Sequence, residues 1–349
     1  MVSSPQCPIL SVGVPLYNMK GCVSRCLDSL VHDDGPYPRE DLEILVVDDG
    51  STDGSAEVAL RYETRHPGLK VLSKVNGGHG SAVDYARQSA KGVYFLVVDS
   101  DDEVLPGALR KVAAFLRWMT DRGLEIDALV LERAYEDEST GKRRYCGFRH
   151  AIPSNRTFGW KDVGRFVFSE TLSMHSLVFR RAHLDDSHLH LPHKTYYVDA
   201  LYTFVPLAHA KRFYHLPFPL YVYHLGRPGQ SVSTSFALKH TDDRMRVSRA
   251  LVAEMDRVPR DAVRSQRRYL DGVLAAFLVV TLGTLTLSDR DDKERKKAGL
   301  FDWIRRTRPA IYRKVSRVPL VSLARLQGGI GRFVTRIGYR IADAGNMLV

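Results

Sequence analysis

The chain has 349 residues, 44% hydrophobic and 26% charged, an ordinary globular composition that excludes a wholly disordered or collagen-like protein. Its length allows two domains, or one domain with a long appendage. The formal charge of +11 is unevenly placed: residues 293–349 hold 14 Lys and Arg against 3 acids, leaving 37 against 37 before them, so the whole excess belongs to the C-terminal segment.

The N-terminal stretch MVSSPQCPILSVGVP has no basic region followed by a long apolar run, so no signal peptide is expected. Cys7, Cys22, Cys26 and Cys146 lack paired metal-ligand spacing and read as reduced thiols, which points to the cytoplasm. Short apolar strands then alternate with helical patterns. A strand over Ile9 to Val14 precedes a helix from Met19 to Val31, and a strand over Leu42 to Val47 precedes a helix from Asp53 to His66. The pattern repeats with Val71-Leu72, a helix from Ser81 to Lys91, a strand over Tyr94 to Val98 and a helix from Pro106 to Met119. This alternation predicts an α/β fold with a mostly parallel central sheet flanked by helices. Ligands of such sheets gather at the carboxyl ends of the strands.

Those ends carry chemistry. The first strand runs into Pro15-Leu16-Tyr17-Asn18, the second into Asp48-Asp49-Gly50-Ser51-Thr52-Asp53, the third is followed by Asn76-Gly77-Gly78-His79-Gly80-Ser81, and the fourth ends in Asp99-Ser100-Asp101-Asp102. Three carboxylates that close raise one another's pKa unless a cation is shared between them. Hard oxygen ligands favour Mg²⁺ or Mn²⁺. The other reading is an acidic turn capping the helix near Pro106. An aromatic ring can stack on a base, a carboxylate can accept the imide proton of uracil, and glycines admit a diphosphate.

In this order the blocks VPLYN, VVDDGSTDGS, NGGHGSA and VDSDD resemble those of family 2 glycosyltransferases with the GT-A fold, from about Ile9 to Ser233. The resemblance implies that Pro15 and Tyr17 flank the uracil, Asp49 accepts its imide hydrogen, and Asp48 organises the turn. It implies further that Gly78, His79, Gly80 and Ser100 line the donor pocket, that Asp99 contacts the ribose or the metal shell, and that Asp101 ligates the cation. Asp102 reads either as a helix cap or as support behind the ligands.

Transfer needs a metal to neutralise the departing nucleoside diphosphate and a carboxylate to take the acceptor proton. Tyr196-Tyr197-Val198-Asp199-Ala200-Leu201 resembles the family's x-E-D block with Val198 in place of Glu, which leaves Asp199 as the expected base, an N-cap being the other reading. Glu132 and Glu170 are reserves. The closing segment from Leu220 to Ser233 resembles that of bacterial members; in it His224 reads as an extra metal ligand or a packed strand residue, and Arg227 as a phosphate contact or a surface ion pair. His175 reads as a packed strand residue, His188-Leu189-His190-Leu191-Pro192-His193 lacks a completing ligand for zinc, and Glu136 to Arg144 reads as a solvated hairpin tip.

After Ser233 the pattern turns helical. Val273 to Leu287 is 15 residues without charge, short of a membrane span, and reads as a core helix. The expected division is a catalytic domain over 1–233, with its donor part at 9–120 and acceptor part at 121–233, a helical extension over 234–292, and a basic tail over 293–349. In the tail Leu323, Leu326, Ile330, Phe333, Ile337 and Ile341 recur at helical spacing opposite arginines, a pattern that suits an anionic membrane surface or docking on the protein itself. It lacks the interleaved aromatics of a single-strand nucleic-acid binder.

The expectation is therefore a metal-dependent, inverting enzyme that moves a sugar from a UDP-linked donor to a cell-surface polysaccharide or lipid-linked oligosaccharide, peripheral on the inner face of the membrane. A catalytically silent nucleotide-sugar binder is the alternative from another class. A haloacid dehalogenase-type phosphatase would carry its acids on the first strand with Thr or Val where Glu103 stands, and a dinucleotide oxidoreductase would need G-x-G-x-x-G in place of Val12-Gly13-Val14-Pro15.

Overall fold

A computed structural model describes residues 7–31, 41–167, 170–227, 230, 233–288 and 292–317. By its internal contacts the chain forms two compact units, one of Met1–Val163 with Leu172–Arg227, the other of Gly164–Thr171 with Pro228–Val349.

In the first unit β1 (Leu10–Leu16), α1 (Val23–Val31), β2 (Leu42–Asp48), α2 (Ser55–Glu63), β3 (Leu69–Ser73), α3 (His79–Ser89) and β4 (Tyr94–Val97) alternate as the hydrophobic pattern predicts. The four strands pair in parallel in the order β3-β2-β1-β4. Every residue of β1 and β4 is buried, which requires cover on both faces and explains why both read as unbroken apolar runs. Helix α1 starts at Val23 instead of Met19. The amides of Met19 and Lys20 are drawn to Ser55 Oγ (2.8 Å) and Asp53 Oδ2 (3.0 Å), so these residues form a turn tied to the loop after β2.

The second half of the sheet is mixed. After β5 (Glu103–Val104) and α4 (Ala108–Asp121) come β6 (Ala128–Asp137), β7 (Arg143–Cys146), β8 (Thr157–Phe158), β9 (Leu177–Arg180), α5 (Arg181–Asp186), α6 (Asp199–His209) and β10 (Phe213–Leu225). Strand β9 lies antiparallel between β4 and β6, and β6 pairs in parallel with β10. The turn between β6 and β7 is the solvated hairpin tip expected over Glu136 to Arg144.

The second unit holds α7 (Thr234–Lys239), α8 (Thr241–Glu254), α9 (Arg264–Leu287), α10 (Lys293–Thr307) and α11 (Pro309–Ser316). Helix α9 is long and apolar enough to cross a membrane, yet 61% of its most apolar window is buried. Leu270, Leu274, Leu278, Leu282 and Leu285 make a buried stripe at helical spacing, each worth about 1.5–3 kcal/mol when fully enclosed. Leu300, Phe301 and Ile304 of α10 and Ile311 and Val315 of α11 are also buried, so residues 293–316 are built into the helical unit. The amphipathic pattern from Leu323 to Ile341 lies outside the described residues.

Candidate active site

The ends of β1 to β4 assemble one site from the bottom up. Pro15 is buried in β1, while Tyr17 is 46% exposed beyond it. Asn18, at φ 51°, accepts from Thr52 N (2.8 Å), joining the first two loops. Asp48 Oδ1 accepts from Ser51 N (3.0 Å), the turn-organising role expected of it. Asp49 is 2% exposed, and its carboxylate accepts from Lys74 Nζ (2.6 Å), Gly77 N (2.9 Å) and Gly78 N (2.7 Å). Three of its roughly four acceptor directions are thus committed to the glycine loop, leaving one on Oδ2.

That loop needs its glycines. Gly78 has φ 86° and ψ 167°, a region essentially closed to other residues, and a Cβ there would lie 2.9 Å from Lys194 N. Lys194 N in turn donates to Gly77 O (2.6 Å). A Cβ on Gly80 would meet Leu191 at 3.0 Å and Val198 at 3.2 Å. The glycine loop is therefore clasped by the segment that leads into α6 and Asp199.

The acids sit beyond β4. Asp99 Oδ1 bonds His79 Nε2 at 2.9 Å, and Asp99 Oδ2 lies 3.9 Å from His175 Nε2. Burial pushes Asp99 upward, but the facing His79, His175 and Arg227 outweigh it and hold the carboxyl below its ordinary value. For His79 burial acts downward, and the charges of Asp99, Asp199 and Asp101 more than offset it, so the imidazole sits above its ordinary value. His175 is pulled below its ordinary value, first by burial, which prevails over Asp99. Asp101 pairs with Arg227 Nη2 at 2.5 Å, and Arg227 Nη1 also meets Cys22 Sγ at 3.0 Å. Ser100 is buried between the acids.

Asp102 is 1% exposed and accepts from Tyr221 Oη (2.7 Å) and His224 N (2.9 Å). Burial first, then Asp101 and Asp99, pushes its carboxyl well up. It does not cap α4, whose N-cap is Gly107, and the reading of the acids as a helix-capping turn falls with it. Asp199 is the exposed first residue of α6, whose N-cap is Val198, so it is not the cap either. Its charge contributes to the field felt by His79, His175 and Tyr223, which brings it to the same group as Asp99 and Asp101.

Among the described residues, ligand atoms of Asp99, Asp102 and His175 lie within 4.8 Å of one another. The two carboxylates are hard oxygen donors of the kind that suit Mn²⁺ or Mg²⁺. Of the expected ligands, Asp99 belongs to this trio. Asp101 faces Arg227, and the His224 ring, 2% exposed, lies 3.5 Å from Glu103 and 3.8 Å from Glu138. Glu132 faces Arg149 (3.5 Å), and Glu170 lies in the other unit.

His175 is packed as expected, against Tyr221 and Tyr223, but not in a strand. It sits in a single 3₁₀ turn, Met174–Ser176, ahead of β9, with its ring 4.3 Å from that of Tyr221. One turn has no periodicity, so sequence offered no signal for it. Tyr221, two residues before Tyr223 on β10, is placed beside the acids by long-range pairing, its Oη meeting Asp102 Oδ2 at 2.7 Å and Asp99 N at 3.2 Å.

This sheet, with acid and glycine blocks at its carboxyl edge, has the GT-A architecture. Residues 11–166 match the model of the family described as Glycosyl transferase family 2. The chain is 40% identical over 111 residues to poly(ribitol-phosphate) beta-glucosyltransferase of Bacillus spizizenii, covering 31% of this chain and 16% of that protein. It is 28% identical over 247 residues to the uncharacterized glycosyltransferase MG060 homolog of Mycoplasma pneumoniae, covering 70% and 77%. The chain spans only 14–16% of the length of the first curated relatives it matches. In fold it is similar to S. aureus TarS 1-349, with TM-score 0.67 and 23% identity over 95% of this chain and 91% of that one; TarS has also been crystallised with UDP-GlcNAc.

Proposed function

We propose that the protein is a metal-dependent, inverting glycosyltransferase that moves a sugar from a UDP-linked donor to a hydroxyl of a cell-surface polysaccharide or lipid-linked oligosaccharide, at the cytoplasmic face of the membrane. The observation that carries this reading is the Asp99–His79 contact at the carboxyl edge of the sheet, beside a glycine loop clasped by the segment that leads into Asp199. The TarS complex with UDP-GlcNAc supports the donor class, and the relative named for poly(ribitol-phosphate) supports a polymeric acceptor.

In this reading Pro15 and Tyr17 flank the base, with the remaining lone pair of Asp49 Oδ2 open to the imide hydrogen. Gly78, His79, Gly80 and Ser100 line the diphosphate and ribose. A Mn²⁺ or Mg²⁺ ion would be held by Asp99 and Asp102 with the His175 imidazole, Asp101 being engaged by Arg227, and when bound it would neutralise the leaving diphosphate. Arg227, already against Asp101, adds a planar donor pair for phosphate oxygens. His224 is assigned to the strand side of the site, behind Asp102. Asp199, exposed at the start of α6, takes the proton of the attacking hydroxyl in a single displacement.

A thermal-shift series with UDP-GlcNAc and UDP-glucose, with and without Mn²⁺, tests it, because a donor that binds the native state raises its midpoint. A midpoint indifferent to every nucleotide sugar, with no UDP released in the presence of acceptor polymer, rejects the reading.

A further inference from the structure

On the acceptor half, β6 carries a guanidinium in an unusual position. Arg133 is 6% exposed, yet it makes no ion pair with any described carboxylate. Its Nε donates to Tyr135 Oη (2.9 Å) and its Nη1 to Ser176 Oγ (2.9 Å), which uses two of five N–H groups. Its Cζ lies 5.3 Å from the ring centre of Tyr135 and 5.7 Å from that of Phe148. Cation–π contacts return about 0.5–2 kcal/mol. The cost of enclosing a charge is several kcal/mol, so a buried cation calls for a counter-ion.

A second cation stands at the same ring. Arg144, exposed on β7 in register with Tyr135, has its Cζ 5.0 Å from that ring centre, and it too makes no ion pair with a described residue. Acids are not scarce on this hairpin. The adjacent Arg143 pairs with Glu136 and Glu103. Two like charges on one tyrosine, one at the rim and one inside, are left without compensation. Ser176, which receives Arg133, is the residue after His175, so this slot adjoins the Asp99 group.

We infer that Arg133 and Arg144, with the hydroxyls of Ser176 and Tyr135, form an oxyanion subsite that receives an anionic group of the acceptor chain, a phosphodiester or a sugar carboxylate. That the ligand is the acceptor rests on the transfer reading above; that it is an oxyanion rests on the two uncompensated guanidiniums. Arginine's planar fork matches both oxyanions, and the buried member supplies the stronger contact because water competes less there.

The test titrates the full chain by calorimetry with three probes: a glycerol-phosphate oligomer, a glucuronate-bearing oligosaccharide and an uncharged glucan of equal length. One anionic probe binds roughly tenfold or more tighter than the glucan, weakens as salt is raised, and identifies the source of the oxyanion. Arg144→Gln and Arg133→Lys each lose most of that preference while the UDP-sugar thermal shift is unchanged; Arg133→Gln loses it entirely if it folds, and otherwise the first two decide. Anionic probes that bind no better than the glucan, or a preference unaltered in both Arg144→Gln and Arg133→Lys, overturn the subsite. Binding is read without turnover. A chain that binds the anionic probe but releases no UDP loses the transfer reading and keeps the subsite, whereas turnover with indifference to acceptor charge does the reverse.

Discussion

Asp199 and His215 show how differently one side chain is used in the site and in the core. Asp199 is exposed at the first turn of α6 and is not consumed as that helix's cap. Its replacement by Asn keeps the shape and removes the base. Turnover should fall by about 10²–10⁴-fold, the span of general-base contributions, with the donor-induced thermal shift retained. Near-normal transfer by Asp199→Asn reassigns the base. His215 is fully enclosed, with Nδ1 3.1 Å from Ser154 Oγ and the ring edge-on to Phe148. Burial pushes it down to about 4 from its ordinary 6.5, and Glu132, 3.9 Å away but faced by Arg149, does not rescue the charge. The folded state therefore resists the proton that the unfolded chain accepts. Stability contributed by the neutral ring is full above pH 6.5 and is lost as pH falls toward 4, at up to about 1.4 kcal/mol per unit. His215→Leu, which loses the Ser154 bond, should be less stable at neutral pH and show a shallower fall of melting temperature over this window. Parallel curves for the two proteins would place the acid sensitivity elsewhere.

Among the elements, the glycine loop is the one whose conformation the acids dictate. Asp49 gathers the amides of Gly77 and Gly78, and the strained φ of Gly78 turns its backbone against Lys194. Gly78→Ala forces a Cβ to 2.9 Å from a backbone nitrogen, so a loss of about 1–3 kcal/mol is expected in urea unfolding, together with a weaker UDP-sugar shift. An unaltered midpoint would mean that the clasp between this loop and the approach to α6 is loose. The parallel half of the sheet was legible because each of its strands is local: an apolar run, a loop of acids or glycines, then a helix. The mixed half was not. Strand β10 pairs with β6 across a separation that sets Phe213 against Ala128, and β9 inserts antiparallel between β4 and β6, choices fixed by long-range packing. The same holds for the site. Asp49, Asp99 and Asp101 follow strands and announce themselves, whereas His175 and Arg133 acquire meaning only when β6, β9 and β10 are brought together.

For the whole chain, the unevenness of charge has to be read against where the helices end. Composition places the break before Lys293, but α10 and α11 bury Leu300, Ile304, Ile311 and Val315 inside the helical unit, so a cut at that point would strip apolar cover from it. Ten of the fourteen basic residues from 293 onward lie within 293–317, and among these Lys296, Lys297, Arg305 and Arg308 are paired with Asp242, Asp292, Glu294, Asp302 and Asp256. The part of any membrane attraction that residues 318–349 supply rests on four arginines against one acid. Deleting 318–349 should leave the melting temperature of the remaining chain and its UDP-sugar shift intact while weakening sedimentation with vesicles rich in anionic lipid. At roughly 1 kcal/mol per basic residue near such a surface, the four arginines amount to a loss of two to three orders of magnitude in partitioning. Equal sedimentation of the truncated and full chains would assign these arginines to the protein's own surface, and a lipid-linked acceptor would then have to be met by diffusion from solution.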